Sequence, residues 1–279
     1  MTNSNVSLDD KYSIESGRIF VTGVQALARI PMVQRQRDVL EGLNTAGFIS
    51  GYRGSPVGGF DQQLWRAKKF LEQNHIRFQP GLNEDLAASA IWGSQQTNLH
   101  EGGKYDGVFA IWYGKGPGVD RCGDVFKHGN MSGPAKHGGV LLIAGDDHAA
   151  KSSTVPHQSE YAFMDASIPV LNPAGLQDIV DYGILGFAMS RFSGCWVAFK
   201  TTAENMDSSA SIDVSPDRVK ISLPKFDMPE GGLSIRWPDD WIEQEHRLHQ
   251  YKLNAVRAFA RQNKICLLYT SPSPRDDQT

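Results

Sequence analysis

At 279 residues the chain is long for one domain and short for two, which predicts one large domain with an appendage. Its 28 Lys and Arg against 31 Asp and Glu leave a net charge of -3, so electrostatics gives it no reason to bind nucleic acid or an anionic membrane, and 40% hydrophobic residues with 28 Gly describe a globular chain rich in turns. Three scattered cysteines, Cys122, Cys195 and Cys266, exclude a cysteine-ligated iron–sulfur cluster or an all-cysteine zinc site held by this chain alone, and they suit a reducing cytoplasm.

The first residues, MTNSNVSLDDKYS, carry neither the basic start nor the apolar run of a signal peptide, and no apolar stretch of about 18 residues follows, so neither export by that route nor a membrane span is expected. Four short apolar runs predict buried strands: 47–50, 108–113, 140–144 and 195–199. Helical stripes fall between them, from Phe60, Leu64, Ala67 and Leu71, and from Leu86, Ala87, Ala90 and Ile91; a third helix is expected from Leu176 to about Ser190. Strands alternating with helices predict a doubly wound, mostly parallel α/β sheet covered on both faces, with ligands beyond the carboxyl ends of the strands. Three Gly-rich or polar segments follow those ends: 51–59, 114–121 and 145–153.

From about Ser211 the chain turns Pro-, Gly- and Asp-rich, which predicts an α/β domain over 1–212 and a connector over 213–264. The connector ends in a helix, roughly Asp239 to Gln262, expected to lead into a further domain with nothing of its own to pack on. Residues 265–279 resemble the translation of a sequencing adapter and are set aside as an artefact, so the chain is expected to be a fragment.

Taken by themselves, the polar segments leave alternatives open. Gly114-Lys115-Gly116-Pro117-Gly118 suits a backbone cradle for phosphate, as in a phosphate-binding transferase, or a plain turn; it fits neither nucleotide-binding motif. Asp146, Asp147, His148 and His157 have oxygen and imidazole donors without a compact metal-ligand spacing, and helix capping or hydrogen bonding explains them better, so no metal is assigned. Ser152, Ser153 and His157 lack the nucleophile elbow of a hydrolase. Glu84 begins a helix, where the dipole favours a carboxylate whatever the function.

Four long motifs change that balance: YRGSPVGGFDQQLW (52–65), FQPGLNEDLAASAIWGSQQ (78–96), YDGVFAIWYGKGPGVDRCGDVFKHGN (105–130) and GGVLLIAGDDHAAKSSTVPHQSE (138–160). Together they resemble the N-terminal region of the indolepyruvate ferredoxin oxidoreductase family, in its long fused bacterial form, from about Ser7 to Lys264. The resemblance implies the pyrimidine-binding domain of a thiamine diphosphate enzyme that oxidatively decarboxylates aryl 2-oxo acids to the acyl-coenzyme A, with ferredoxin or a similar electron acceptor. It implies that Glu84, in the Asn83-Glu84 pair, hydrogen-bonds a ring nitrogen of the cofactor's aminopyrimidine. That bond favours the imino tautomer, which takes the proton from the thiazolium carbon. Gly54, Ser55 and Pro56 fall in the family's cofactor-side turn, with Ser55 and Arg53 towards the substrate carboxylate. Lys115, Gly116, Arg121, Asp147, His148, Lys151 and Ser152 fall in loops lining the same cleft.

The family holds diphosphate and magnesium through a G-D-G followed by N-N, and this chain has neither. A thiamine pyrophosphate-binding domain is therefore expected downstream or on another chain. Iron–sulfur cluster and coenzyme A enter only through missing parts or partners, and a full-length oligomer is expected. The rival reading is a non-catalytic interaction or regulatory domain of the same fold.

Overall fold

The computed structural model describes residues 7–150, 155–237 and 239–265. A helical turn, α1 (Asp10–Ser13), and strand β1 (Arg18–Thr22) precede the long helix α2 (Gly23–Leu40). Strand β2 (Ala46–Gly51) is followed by α3 (Phe60–Arg66), α4 (Lys68–Gln73), β3 (Ile76–Phe78) and α5 (Glu84–Gln95). Next come β4 (Val108–Lys115), α6 (Gly116–Arg121), α7 (Gly123–Ser132), β5 (Val140–Gly145), α8 (Glu160–Asp165) and β6 (Val170–Leu171). The chain continues through α9 (Leu176–Ser193), β7 (Val197–Thr201), α10 (Ala203–Met206) and β8 (Ser209–Asp213). Beyond an extended connector, α11 (Trp241–Arg247) passes through a π-helical segment, Leu248–Lys252, into α12 (Leu253–Gln262).

Six strands form one parallel sheet in the order β3-β2-β4-β5-β7-β6, so the expected doubly wound α/β class is the one observed. The alternation of side chains divides the core in two. Ile111, Tyr113, Leu141, Ile143 and Phe199 face the cluster containing α2, α3, α9 and α12; Trp112, Leu142, Ala144 and Ala198 face that of α5, α6, α7 and α8. Both faces are covered, which is why these strands read as unbroken apolar runs.

Three expectations are corrected. The fourth strand starts at Val197, two residues late, because the Trp196 N–H donates to Asn130 Oδ1 and the Cys195 carbonyl accepts from Ser190 Oγ. Residues 211–213 belong to β8, which pairs antiparallel with β1, Arg18 opposite Asp213. The C-terminal helix does have a packing surface in this chain. Phe259 is buried with its ring 5.9 Å from that of Phe192 on α9, and Lys252 donates to the carbonyls of Asn130 (3.2 Å) and Met131 (2.7 Å). No helix among the described residues is long and apolar enough to cross a membrane.

Burial pushes the Lys252 ammonium down to about 8, against weaker opposing pulls from Cys195 and Asp239. A depressed pKa means that the unfolded chain holds this proton to higher pH. The stability is complete above the ordinary lysine value and is lost as pH falls through about 8, over a range on the order of 3 kcal/mol. Urea unfolding of wild type and Lys252→Met at about pH 7 and about pH 10 should therefore show the difference moving in favour of wild type as pH rises. A pH-independent difference would mean that the ammonium is not desolvated.

Candidate functional site

Register brings the strand ends into line. Gly51 pairs with Tyr113, Lys115 with Gly145, and Gly145 with Thr201, so β2, β4, β5 and β7 stop along one edge. From β2 the chain goes outward to β3, and from β4 it goes the other way to β5, which makes the crevice above β2 and β4 the topological switch point. The predicted segments meet there: a Cβ on Gly54 would lie 2.7 Å from Lys115 Cδ, and one on Gly145 would lie 2.9 Å from Pro56 Cδ.

Glu84 stands at the centre of this edge. Asn83, extended at φ -154°, caps α5 by accepting from the Leu86 N–H at 2.8 Å, so Glu84 becomes the first helical residue and its side chain turns back over the strand ends. Its main-chain carbonyl accepts from Trp112 Nε1 at 3.0 Å. The residue is 8% exposed. Its carboxyl accepts no hydrogen bond from a described residue, and the nearest cation is Arg121, whose guanidinium lies 3.7 Å from Oε2. A Cβ on Gly118 would approach Glu84 Cγ to 2.5 Å and Oε1 to 2.9 Å, so the carboxyl lies flush on the backbone of α6. The side chain keeps 11% of its surface open, and with Arg121 as a loose ion-pair partner the carboxyl retains acceptor capacity for an incoming donor.

On the adjoining turn Arg53 and Ser55 are exposed, and the Ser55 hydroxyl is bonded to no described residue. Beneath them lies a pair that sequence reasoning missed: the Tyr113 hydroxyl donates to Asp61 Oδ1. Burial raises the Asp61 carboxyl against the Tyr113 hydrogen bond and the Arg53 charge, while burial and the neighbouring carboxylate push the Tyr113 phenol far up. Tyr113 was visible only as one residue of an apolar run, and nothing in its spacing from Asp61 marks the contact.

The segment 114–121 is not an open loop. β4 runs through Gly114 and Lys115, Gly116 starts a six-residue helix, and the positions beside Gly114, Gly116 and Gly118 are occupied by Trp112, His157 and Glu84, so these glycines make room for side chains of the chain itself. After β5, Asp146 is buried and accepts from the Ser159 N–H (2.9 Å) and Ser159 Oγ (2.5 Å), the hydrogen-bonding role expected of it. The Asp147 carbonyl accepts from the His157 N–H, and His148 Nδ1 lies 3.1 Å from the His157 carbonyl. Lys151, Ser152, Ser153, Cys266 and all of the adapter-like tail except Ile265 lie outside the described residues. Among the described residues no three His, Cys, Asp or Glu side chains converge on a metal position. A cavity of about 620 Å³ lined by Leu43, His137 and Phe192 lies at the opposite edge, before β2 and β5, remote from Glu84.

No known family profile and no curated protein matches the chain. Among solved structures it is similar to a 2-oxoglutarate:ferredoxin oxidoreductase from Magnetococcus marinus, determined with 2-oxoglutarate, coenzyme A and succinyl-CoA bound. The likeness is one of fold. It has a TM-score of 0.59 at 14% identity and covers 87% of this chain but 46% of that one, so the present chain spans about half the length of the enzyme it matches.

Proposed function

We propose that this chain supplies the aminopyrimidine side of a thiamine diphosphate site in a 2-oxo acid:ferredoxin oxidoreductase acting on an indolepyruvate-type substrate. The observation that carries the reading is the Glu84 carboxyl, largely enclosed in the switch-point crevice and hydrogen-bonded to no described residue. The residues present fit the group, because one protonatable carboxyl set against a wall of glycine backbone is the donor set that a ring nitrogen requires. When bound, thiamine diphosphate supplies the electron sink for loss of the substrate carboxylate as carbon dioxide. Glu84 holds or delivers the proton at the ring nitrogen, and Gly54 and Pro56 shape the wall beside it. Ser55 donates to the substrate carboxylate, with the Arg53 charge close by. Lys115, Gly116, Arg121, Asp147, His148, Lys151 and Ser152 belong to the lining. Magnesium, the diphosphate, coenzyme A, the iron–sulfur cluster and the ferredoxin contact fall to other segments or subunits of an oligomeric cytoplasmic enzyme.

The fold likeness supports the 2-oxo acid oxidoreductase class, and the motif resemblance supports the aryl substrate. Ferredoxin reduction by the holoenzyme tests both. We expect kcat/KM for indolepyruvate to exceed that for 2-oxoglutarate and pyruvate by about tenfold or more. Preference for 2-oxoglutarate would replace the aryl substrate, and failure to oxidise any 2-oxo acid would remove the oxidoreductase reading.

Ser55→Ala in that enzyme removes a hydroxyl donor to a charged group, worth about 1 to 3 kcal/mol, and should raise KM for the oxo acid roughly tenfold or more while leaving cofactor affinity in place. Lost cofactor affinity at constant KM would move Ser55 to the cofactor side.

A further inference from the structure

His157 has no role in the reading above, yet its ring is enclosed by carboxylates from two elements. Its Nε2 lies 2.8 Å from Asp120 Oδ2 on α6, and its Nδ1 lies 3.6 Å from Asp146 Oδ1 and 3.5 Å from Ser159 Oγ. The imidazole is 15% exposed. Asp146, fully enclosed, is fixed in turn by Ser159 and by Lys200 of β7, whose ammonium lies 3.8 Å away and also donates to Glu160. Burial acts to raise the Glu160 carboxyl, but the Lys200 hydrogen bond and charge outweigh it, so this carboxylate stays below its ordinary range. The imidazole is thus anchored to the rigid ends of β5 and β7, and its free reach is towards α6.

Helix α6 is seated in the core by the fully buried Val119, and His157 adds a hold from its other side. Six residues are too few for a stable helix in isolation, so its placement is set by what touches it. On its turn of 3.6 residues, Gly116 and Asp120 share one side, and Gly118 and Arg121 share another about 150° away. The first side meets His157: a Cβ on Gly116 would lie 2.1 Å from His157 Nδ1, so the ring is stacked on bare backbone. The second side meets Glu84, through the Gly118 backbone and the Arg121 guanidinium. A shift of α6 away from the ring is a shift of the wall against which the Glu84 carboxyl lies.

We propose that His157 is a positioning residue for Glu84: braced by Asp146, it holds α6 through Asp120 and Gly116, and α6 holds the Glu84 carboxyl in its reactive place. This rests on the role given to Glu84 above. His157 itself touches no reacting atom.

Two measurements test it together. In the full chain, His157→Ala should raise amide hydrogen exchange of Val119, Asp120 and Arg121 at least about tenfold, while the amides of β4, β5 and β7 stay protected. In the holoenzyme the same variant should lower kcat at least about tenfold with KM for the 2-oxo acid changed less than about twofold, because the carboxyl is misplaced while substrate contacts remain. His157→Gln, which keeps an N–H within reach of Asp120, should recover most of the loss. Asp120→Ala breaks the same contact from the exposed side, where folding is not at stake, and should reproduce both effects. Unchanged exchange in α6, or loosened α6 with kcat intact in an enzyme whose turnover depends on Glu84, overturns the proposal. Loss of protection throughout the sheet in both variants also overturns it, by making His157 a general structural residue. Turnover indifferent to Glu84→Gln would instead bring down the reading beneath it, while the exchange arm still reports on the brace.

Discussion

Glu84→Gln should lower turnover of the holoenzyme by at least about two orders of magnitude, the scale of losing a positioned general acid or base. The amide has the size of the carboxyl and fits against Gly118, and the main-chain bond from Trp112 to the Glu84 carbonyl is untouched. What is lost is a group able to hold a proton at one moment and release it the next. Stability should change by about 0.3 to 1 kcal/mol, the usual worth of a carboxylate in a first helical turn. Asp85→Asn is the control, since it removes the neighbouring charge, which contacts the Cys122 thiol, while leaving Glu84 in place. The decisive readout is exchange of the cofactor's thiazolium proton for deuterium, followed by NMR after an acid quench. Normal exchange in Glu84→Gln would return Glu84 to an ordinary helix-start carboxylate.

Those parts of the molecule whose energetics are local were legible in the sequence. The run 140–144 reads as a strand because it is buried on both faces, and Glu84 reads as a helix start because a first-turn acid and the apolar stripe behind it are neighbours in the chain. Helix α2 was not seen because it has no polar face to make a stripe. Arg29, Gln34, Arg35 and Asp38 are all buried within it, each held by a partner that the sequence does not name, and Pro31 lies in its middle. The pairing of β1 with β8 joins Arg18 to Asp213, 195 positions apart, and neither strand announces the other. The same holds at the site. His157 was noticed for its residue type, but its partner Asp120 is 37 positions away and is brought to it by the parallel register of β4 and β5. On the roles proposed here for Glu84 and His157, a motif marks the residue assigned the chemistry, whereas the residue assigned to hold it is chosen by geometry.

The largest loss of stability should come from Asp38→Ala, remote from the crevice. Asp38 is fully buried on α2, where Oδ1 accepts from Gln34 Nε2 at 2.8 Å and Oδ2 from Thr45 Oγ1 at 2.6 Å. Arg191 on α9 closes the set as a two-pronged donor, Nη1 to Oδ1 at 2.6 Å and Nη2 to Oδ2 at 2.9 Å. This cluster joins the helix before β2 to the helix before β7. Truncation leaves a largely buried guanidinium without its counter-charge and strands a buried hydroxyl, so the cost should be about 3 to 5 kcal/mol, a large share of the roughly 5 to 15 kcal/mol that holds a domain together. Arg191 keeps its bonds to the carbonyls of Gly138 and His137, which favours the lower end. Asp38→Asn retains the shape and one acceptor oxygen and should fall between wild type and alanine. Asp38→Leu combined with Arg191→Met replaces both charges by apolar volume and should cost less than Asp38→Ala alone, because most of the penalty is the orphaned charge and not the lost attraction. Urea unfolding of the four proteins measures all of this at one pH. A double variant less stable than Asp38→Ala would show that the ion pair itself, and not the avoidance of an unpaired guanidinium, holds α2 against α9.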